Sequence, residues 1–313
     1  MTYSSGGTIQ ASDYNGFAGG SAANVSGQLN TVLSTGRGNA GYGQTAVSNV
    51  TAVTNDVSAT QWTTLVNGVD KVRKHQTGAG YTNLTAYTSG QVINVTNDIA
   101  ANLTTAYTTR LTAAVQGATV TGATNSPVFT LPNQLAGDTY RFSRTATFGS
   151  GDAARYFFNA GGQLNFVIIS VTNTGATQRG ASLANLAATN FASKKIGAQD
   201  CVARTGAGGT LNTDGTTNTG YYTLTTSNVA KTTITSTQST YTSDTFSLVA
   251  KSNGVQGSNA DAGSVVTLSV DLTSATQTGG FNDSIDITVN HRVDIIYPSS
   301  TFLANTWGAV TIA

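Results

Sequence analysis

The sequence predicts an α+β protein: an N-terminal helical region over residues 1–116, then a mainly antiparallel β-sandwich-like domain over 117–313. Three observations carry that expectation. Apolar residues recur at three- and four-residue steps in the first part and at two-residue steps from about Thr119 onward. Thr supplies 55 of 313 residues and Gly 35, whereas Lys numbers six, Pro three and Glu none. Short, stiff, uncharged side chains of this kind suit pleats and loops, not solvated helix faces. Net charge is +1, and 12 Tyr, 11 Phe and 2 Trp are spread along the chain, a combination foreign to disordered sequences.

The clearest helix begins at Ser58, whose partner Gln61 completes a capping-box pattern. Trp62, Leu65, Val66, Val69 and Val72 then form one apolar stripe, Lys71 to His75 fall in the last turn, and Gly78 offers a stop. A second helix is expected from about Asn97 to Val115 through Ile99, Leu103, Tyr107 and Leu111. A weaker one spans roughly Ser21 to Leu33 through Val25, Leu29 and Val32. Each stripe is narrow and backed by Thr, Asn and Ala, so the helices are expected to pack on one another or on neighbouring subunits.

Period-two alternation predicts strands at Tyr140/Phe142, at Leu164–Ile169 (buried on both faces), at Leu268–Leu272, and through Ile285, Ile287, Val289, Val293 and Ile295. Turn signals lie at Gly149–Asp152, Gly161-Gly162, Gly206–Gly209, Gly279-Gly280 and Pro298. Arg155–Leu164 reads as an aromatic strand and an Asn-x-Gly-Gly turn, a hairpin with Tyr156 and Phe158 on one face and Phe157 on the other. Leu183, Leu186, Ala187 and Phe191 make one short helix or helical crossover, and Thr210–Thr245 has no assignable strand. A domain of this length can bury a core unaided.

Candidate chemistry is sparse. Gly36-Arg-Gly-Asn-Ala-Gly41 matches G-x-G-x-x-G but follows a helix rather than a strand, so it reads as a loop. His75 is expected to complement the end of its helix, and His291, between Val289 and Val293 and beside Arg292, to face solvent. Cys201 is the single cysteine; it cannot form an intrachain disulfide and reads as buried and inert. Asn282, Asp283, Asp286 and Asp294 lack the spacing of a calcium loop and read as a solvated turn. No catalytic, cofactor-binding or metal site is therefore expected, and paired carboxylates for glycan cleavage are missing. Basic residues are too scattered for nucleic acid, and the longest wholly aliphatic or aromatic run, Phe166–Ile169, is far short of a membrane span. Met1–Gly7 carries no basic or apolar leader pattern.

An ordered set of segments resembles virion structural proteins of tailed bacteriophages, particularly contractile-tailed phages of cyanobacteria. It comprises Ala11–Asn15, Gly41–Gln44, Gln61-Trp62, Arg73–Gly78, Arg155–Leu164, Leu183–Phe191 with Lys195–Gly197, Gly220–Leu224, Tyr241, Val266–Leu272 and Val293–Ser299. Thr273–Asn282 departs from the pattern by lacking an acidic, turn-rich run. The resemblance implies a non-enzymatic, tail-associated component (fibre, neck or baseplate) that contacts itself, as a trimer by first expectation, and other virion proteins. It implies synthesis in the host cytoplasm and service in the released particle. The alternatives are a capsid-associated decoration protein, or a receptor-binding fibre module in which Tyr221, Tyr222 and Tyr241 stack on host surface glycan.

Overall fold

The computed structural model describes residues 10–20, 25–51, 57–80, 96–125, 129–134, 137–198, 219–238, 240–254, 263–276 and 283–313. Helix α1 (Ala11–Ala18) opens them, with Gln10 and Asp13 closing a reciprocal cap and Ala11, Tyr14, Phe17 and Ala18 on one buried face. It is not among the expected helices, although its three- and four-residue spacing is legible. The helix expected over 21–33 reduces to α2 (Leu29–Leu33), because Gly27 turns the chain at φ 84°; residues 21–24 lie outside the described ones. Helix α3 (Ala59–Thr77) forms as its pattern predicts, capped reciprocally by Ser58 and Gln61 and closed by left-handed Gly78. Helix α4 (Thr96–Thr109) ends before Val115, which instead donates its N–H to the His75 carbonyl at 2.7 Å. The stripes find their cover within the chain: Trp62, Leu65, Val69, Val72, Ile99 and Leu103 are all buried, and α3 packs on α1, α2 and α4.

From residue 116 the chain is mostly strand. Five strands form one antiparallel sheet: β1 (Gln116–Val120) and β2 (Phe129–Gln134) both pair β9 (Ile285–Pro298), which pairs β4 (Gln163–Asn173), which pairs β5 (Ser193–Ile196). The second antiparallel sheet runs β10 (Thr311–Ile312), β3 (Thr139–Thr147), β8 (Val265–Thr273), β7 (Thr245–Ser252), β6 (Val229–Thr235). Phe142 of β3 reaches across to Phe129 of β2 at 4.8 Å and Phe166 of β4 at 6.2 Å, so the two inner faces share an aromatic core.

Several expectations need correction. Arg155–Leu164 is no hairpin: Gly151–Asn159 is helix α5, capped by the Ser150 hydroxyl on the Ala153 N–H. Tyr-Phe-Phe favours a strand locally, but here all three rings are buried, against Phe148, Tyr221 and Tyr297 among others. Contacts around the whole circumference override local propensity. Gly161, at φ 102°, makes the turn into β4. On β4, Leu164, Phe166 and Ile168 are buried, but the opposite face is partly open and Ile169 is 41% exposed. A bulge against β9 lies between Ile168 and Ser170 and leaves Ile169 out of register. Within Thr210–Thr245, β6 supplies a strand that the Thr-rich pattern concealed. The expected crossover is α6 (Gln178–Asn185) continued by a π-helical turn, Leu186–Phe191.

Candidate functional site

The densest polar constellation lies where helices and sheets meet. Between α2 and α3 the chain bends through Gly36, Gly38, Gly41 and Gly43, all at positive φ. A side chain at Gly36 would strike the Ala40 backbone and one at Gly41 the backbone of Ser34 and Thr35, so glycine is required at both. The fold turns loop carbonyls, not amides, toward a common point. Arg155 of α5 enters there, with Nη1 2.7 Å from the Gly38 carbonyl and 3.2 Å from that of Ala40, and Nη2 2.8 Å from that of Thr35. Asn159, one turn along, donates to the Gly38 and Gly41 carbonyls, and the Tyr222 hydroxyl lies 2.8 Å from both the Gly38 carbonyl and Asn159 Oδ1. A phosphate cradle points N–H groups inward. This G-x-G-x-x-G loop has the opposite polarity and is filled by a cation of its own chain.

His75 extends the same seam. It sits in the last turn of α3, as expected, but is fully buried. Its Nε2 lies 2.8 Å from the Ala160 carbonyl, and Tyr42 packs edge-on at 5.2 Å. Gln76 donates to the Tyr42 hydroxyl and the Ala106 carbonyl. Gln44 binds the backbone of Ala304 in both senses, donating at 3.0 Å and accepting at 2.8 Å. Each of these contacts fixes one element against another.

The remaining candidates do not converge. His291 is not on the solvent side: it is 3% exposed, lies parallel to Phe166 at 5.4 Å and meets Phe142 at 4.6 Å. Neither ring nitrogen has a well-formed hydrogen bond. Burial, helped by the nearby Arg144 cation, pushes its pKa down to about 4, against a weak opposite pull from the Val289 backbone. Asp283 accepts from the Tyr241 hydroxyl, Asp286 from Thr174, and Asp294 from Arg292 and the Gly122 N–H, so the three carboxylates serve separate partners. Asn282 and Cys201 lie outside the described residues, as do the turns at 206–209 and 279–280. Among the described residues no group of three His, Cys or Asp could hold a metal ion, and no helix is long and apolar enough to cross a membrane.

Three buried charged side chains had no signal in the sequence. Arg179 and Asp244, both wholly buried, form a two-pronged ion pair at 2.9 and 2.7 Å, and Arg179 also reaches the Ala275 carbonyl. Lys231 on β6 is buried, and burial with the nearby Lys194 cation pushes its pKa down to about 8. The tyrosines that the receptor-binding alternative would stack on sugars are turned inward. Tyr221 is buried against Phe158, Tyr241 is buried with its hydroxyl on Asp283, and Tyr222 is half-buried over the glycine loop. Burial and the Asp283 carboxylate push the Tyr241 pKa up to about 12. An open groove of about 300 Å³ runs beside β1, bounded by Tyr297, Trp307 and Asn305.

The arrangement defines a helix-capped antiparallel sandwich whose polar residues serve internal joints. No protein-family model, curated protein or solved structure matches the chain.

Proposed function

We propose that the chain is a non-enzymatic structural component of a bacteriophage particle, tail-associated, that works through contacts with its own copies and other virion proteins. The observation that carries this reading is the state of its surface hydroxyls. On α4, Thr104, Thr105 and Thr108 are exposed, yet each hydroxyl donates to the carbonyl four residues earlier at 2.9 Å. On the sheets, exposed hydroxyls pair across strands: Thr139 with Thr273 at 3.0 Å and Ser247 with Thr233 at 2.9 Å. A hydroxyl already bonded within its own chain loses little when a neighbour covers it. The methyl groups left outward are stiff and have little entropy to lose. Such a surface favours lateral packing over chemistry.

The test is location. Gold-labelled antibody against the chain, viewed by negative stain on particles purified from lysates in which it is made, is expected to mark fixed positions on the tail. Label absent from every intact particle overturns the reading.

A further inference from the structure

Sheet edges bare of protection invite pairing, and proteins blunt them with Lys, Pro, extreme shortness or side-chain cover. In the second sheet, β10 has two residues, while β6 carries Lys231 and has its Ala230 carbonyl taken by the Thr219 hydroxyl at 2.7 Å. In the first sheet, β5 carries Lys194 and Lys195, and β2 contains Pro132, which lacks an N–H. Strand β1 carries no Lys or Pro and is five residues long; its one irregularity is a register shift against β9 between Gln116 and Thr119. Gln116, Ala118, Thr119 and Val120 are exposed, and Val120, at 47%, is more exposed than any other large hydrophobic side chain among the described residues. One side of β1 pairs β9 through Gln116–Pro298, Thr119–Ile296 and Val120–Ile295; no described strand pairs the other. No charged residue occurs from 111 to 137.

We propose that two copies of this chain pair through β1, antiparallel and about a two-fold axis, joining their five-stranded sheets into one. The inference rests on the assembly reading above and narrows it to a surface. A second copy is the occupant because it brings an equally uncharged strand, so any register sets neutral residues opposite one another. The same bond also covers both open edges at once. A two-fold centred near Ala118 sets the partner subunit's Val120 opposite Gln116, beside the groove bounded by Gly117, Tyr297 and Trp307. Self-pairing of one strand is isologous, which gives a two-fold pair in place of the threefold expected from the sequence.

Sedimentation of the purified full chain over a range of concentrations, with amide exchange at each, tests this. The expected result is a dimer whose formation slows exchange at 116–121. Val120→Lys and Thr119→Lys should each weaken it about tenfold or more while leaving far-UV circular dichroism unchanged. A chain that stays monomeric, a dimer indifferent to both substitutions, or protection confined to another segment overturns the proposal. A chain found on particles yet monomeric when pure sinks the pairing alone. A Val120-dependent dimer absent from particles sinks the virion reading alone.

Discussion

His291 is a neutral ring held between two phenylalanines, and the cost of charging it sets a pH dependence. Its folded pKa of about 4 lies below the 6.5 of an exposed histidine, so between those values the unfolded chain binds more protons than the folded one. Stability is complete above about pH 6.5 and falls toward pH 4, by up to about 3 kcal/mol if the full shift is expressed. Urea midpoints at pH 7, 5.5 and 4 should show this slope, and His291→Phe should remove most of it. An unchanged slope in that variant would assign the dependence elsewhere. Residue parity already pointed inward, since 289, 291 and 293 share one face of a strand; residue type, which suggested solvent, misled. Arg155 makes the converse case. Its donors serve carbonyls more than a hundred residues earlier in the chain, and no local pattern announces that. Arg155→Met should cost about 3–5 kcal/mol, because it orphans several buried carbonyls, and Arg155→Lys should recover little. Chemical denaturation measures both.

Among the elements, legibility followed the reach of the forces involved. Helix α3 could be read end to end because its cap, stripe and left-handed stop are all local, and Ser58→Ala should cost about 1 kcal/mol in thermal melts. Helix α5 could not, because its aromatic run fits a strand until the surroundings on every side are known. Ser150 and Asp152, an N-cap and a first-turn acid, were its only local signals. Two variants probe this element. Phe158→Ala empties a wholly buried site stacked on Tyr221 at 4.3 Å and should cost about 3–5 kcal/mol. Gly161→Val forces a branched side chain to φ 102° and should cost about 1–3 kcal/mol. Retention of wild-type melting by either variant would refute the packing described here.

At the scale of the molecule, the boundary expected between residues 116 and 117 falls at the start of β1, yet the core continues across it. Tyr42, Trp62, Phe158 and Tyr221 belong to one buried cluster. A fragment of residues 117–313 keeps both sheets but loses the loop that satisfies Arg155 and the ring that satisfies the Ala160 carbonyl. It is expected to melt well below the full chain and to recover on addition of residues 1–116. A fragment as stable as the whole would show that the seam contributes nothing. The fold class and both periodicities were visible in the sequence. The joint was not, because its partners are backbone carbonyls, which every residue possesses.

That joint also sets a timetable. Gln44 closes on Ala304, a partner 260 residues further along the chain. Made at about 5–20 residues per second, the loop of Gln44 waits on the order of ten seconds to a minute before its last bond can form. Arg155 and Asn159 can reach the loop carbonyls sooner, but the Gln44 side chain lacks its Ala304 partner until that residue is made. The loop of Gln44 is therefore made long before it is locked, and closure of the seam reports that synthesis has passed Ala304.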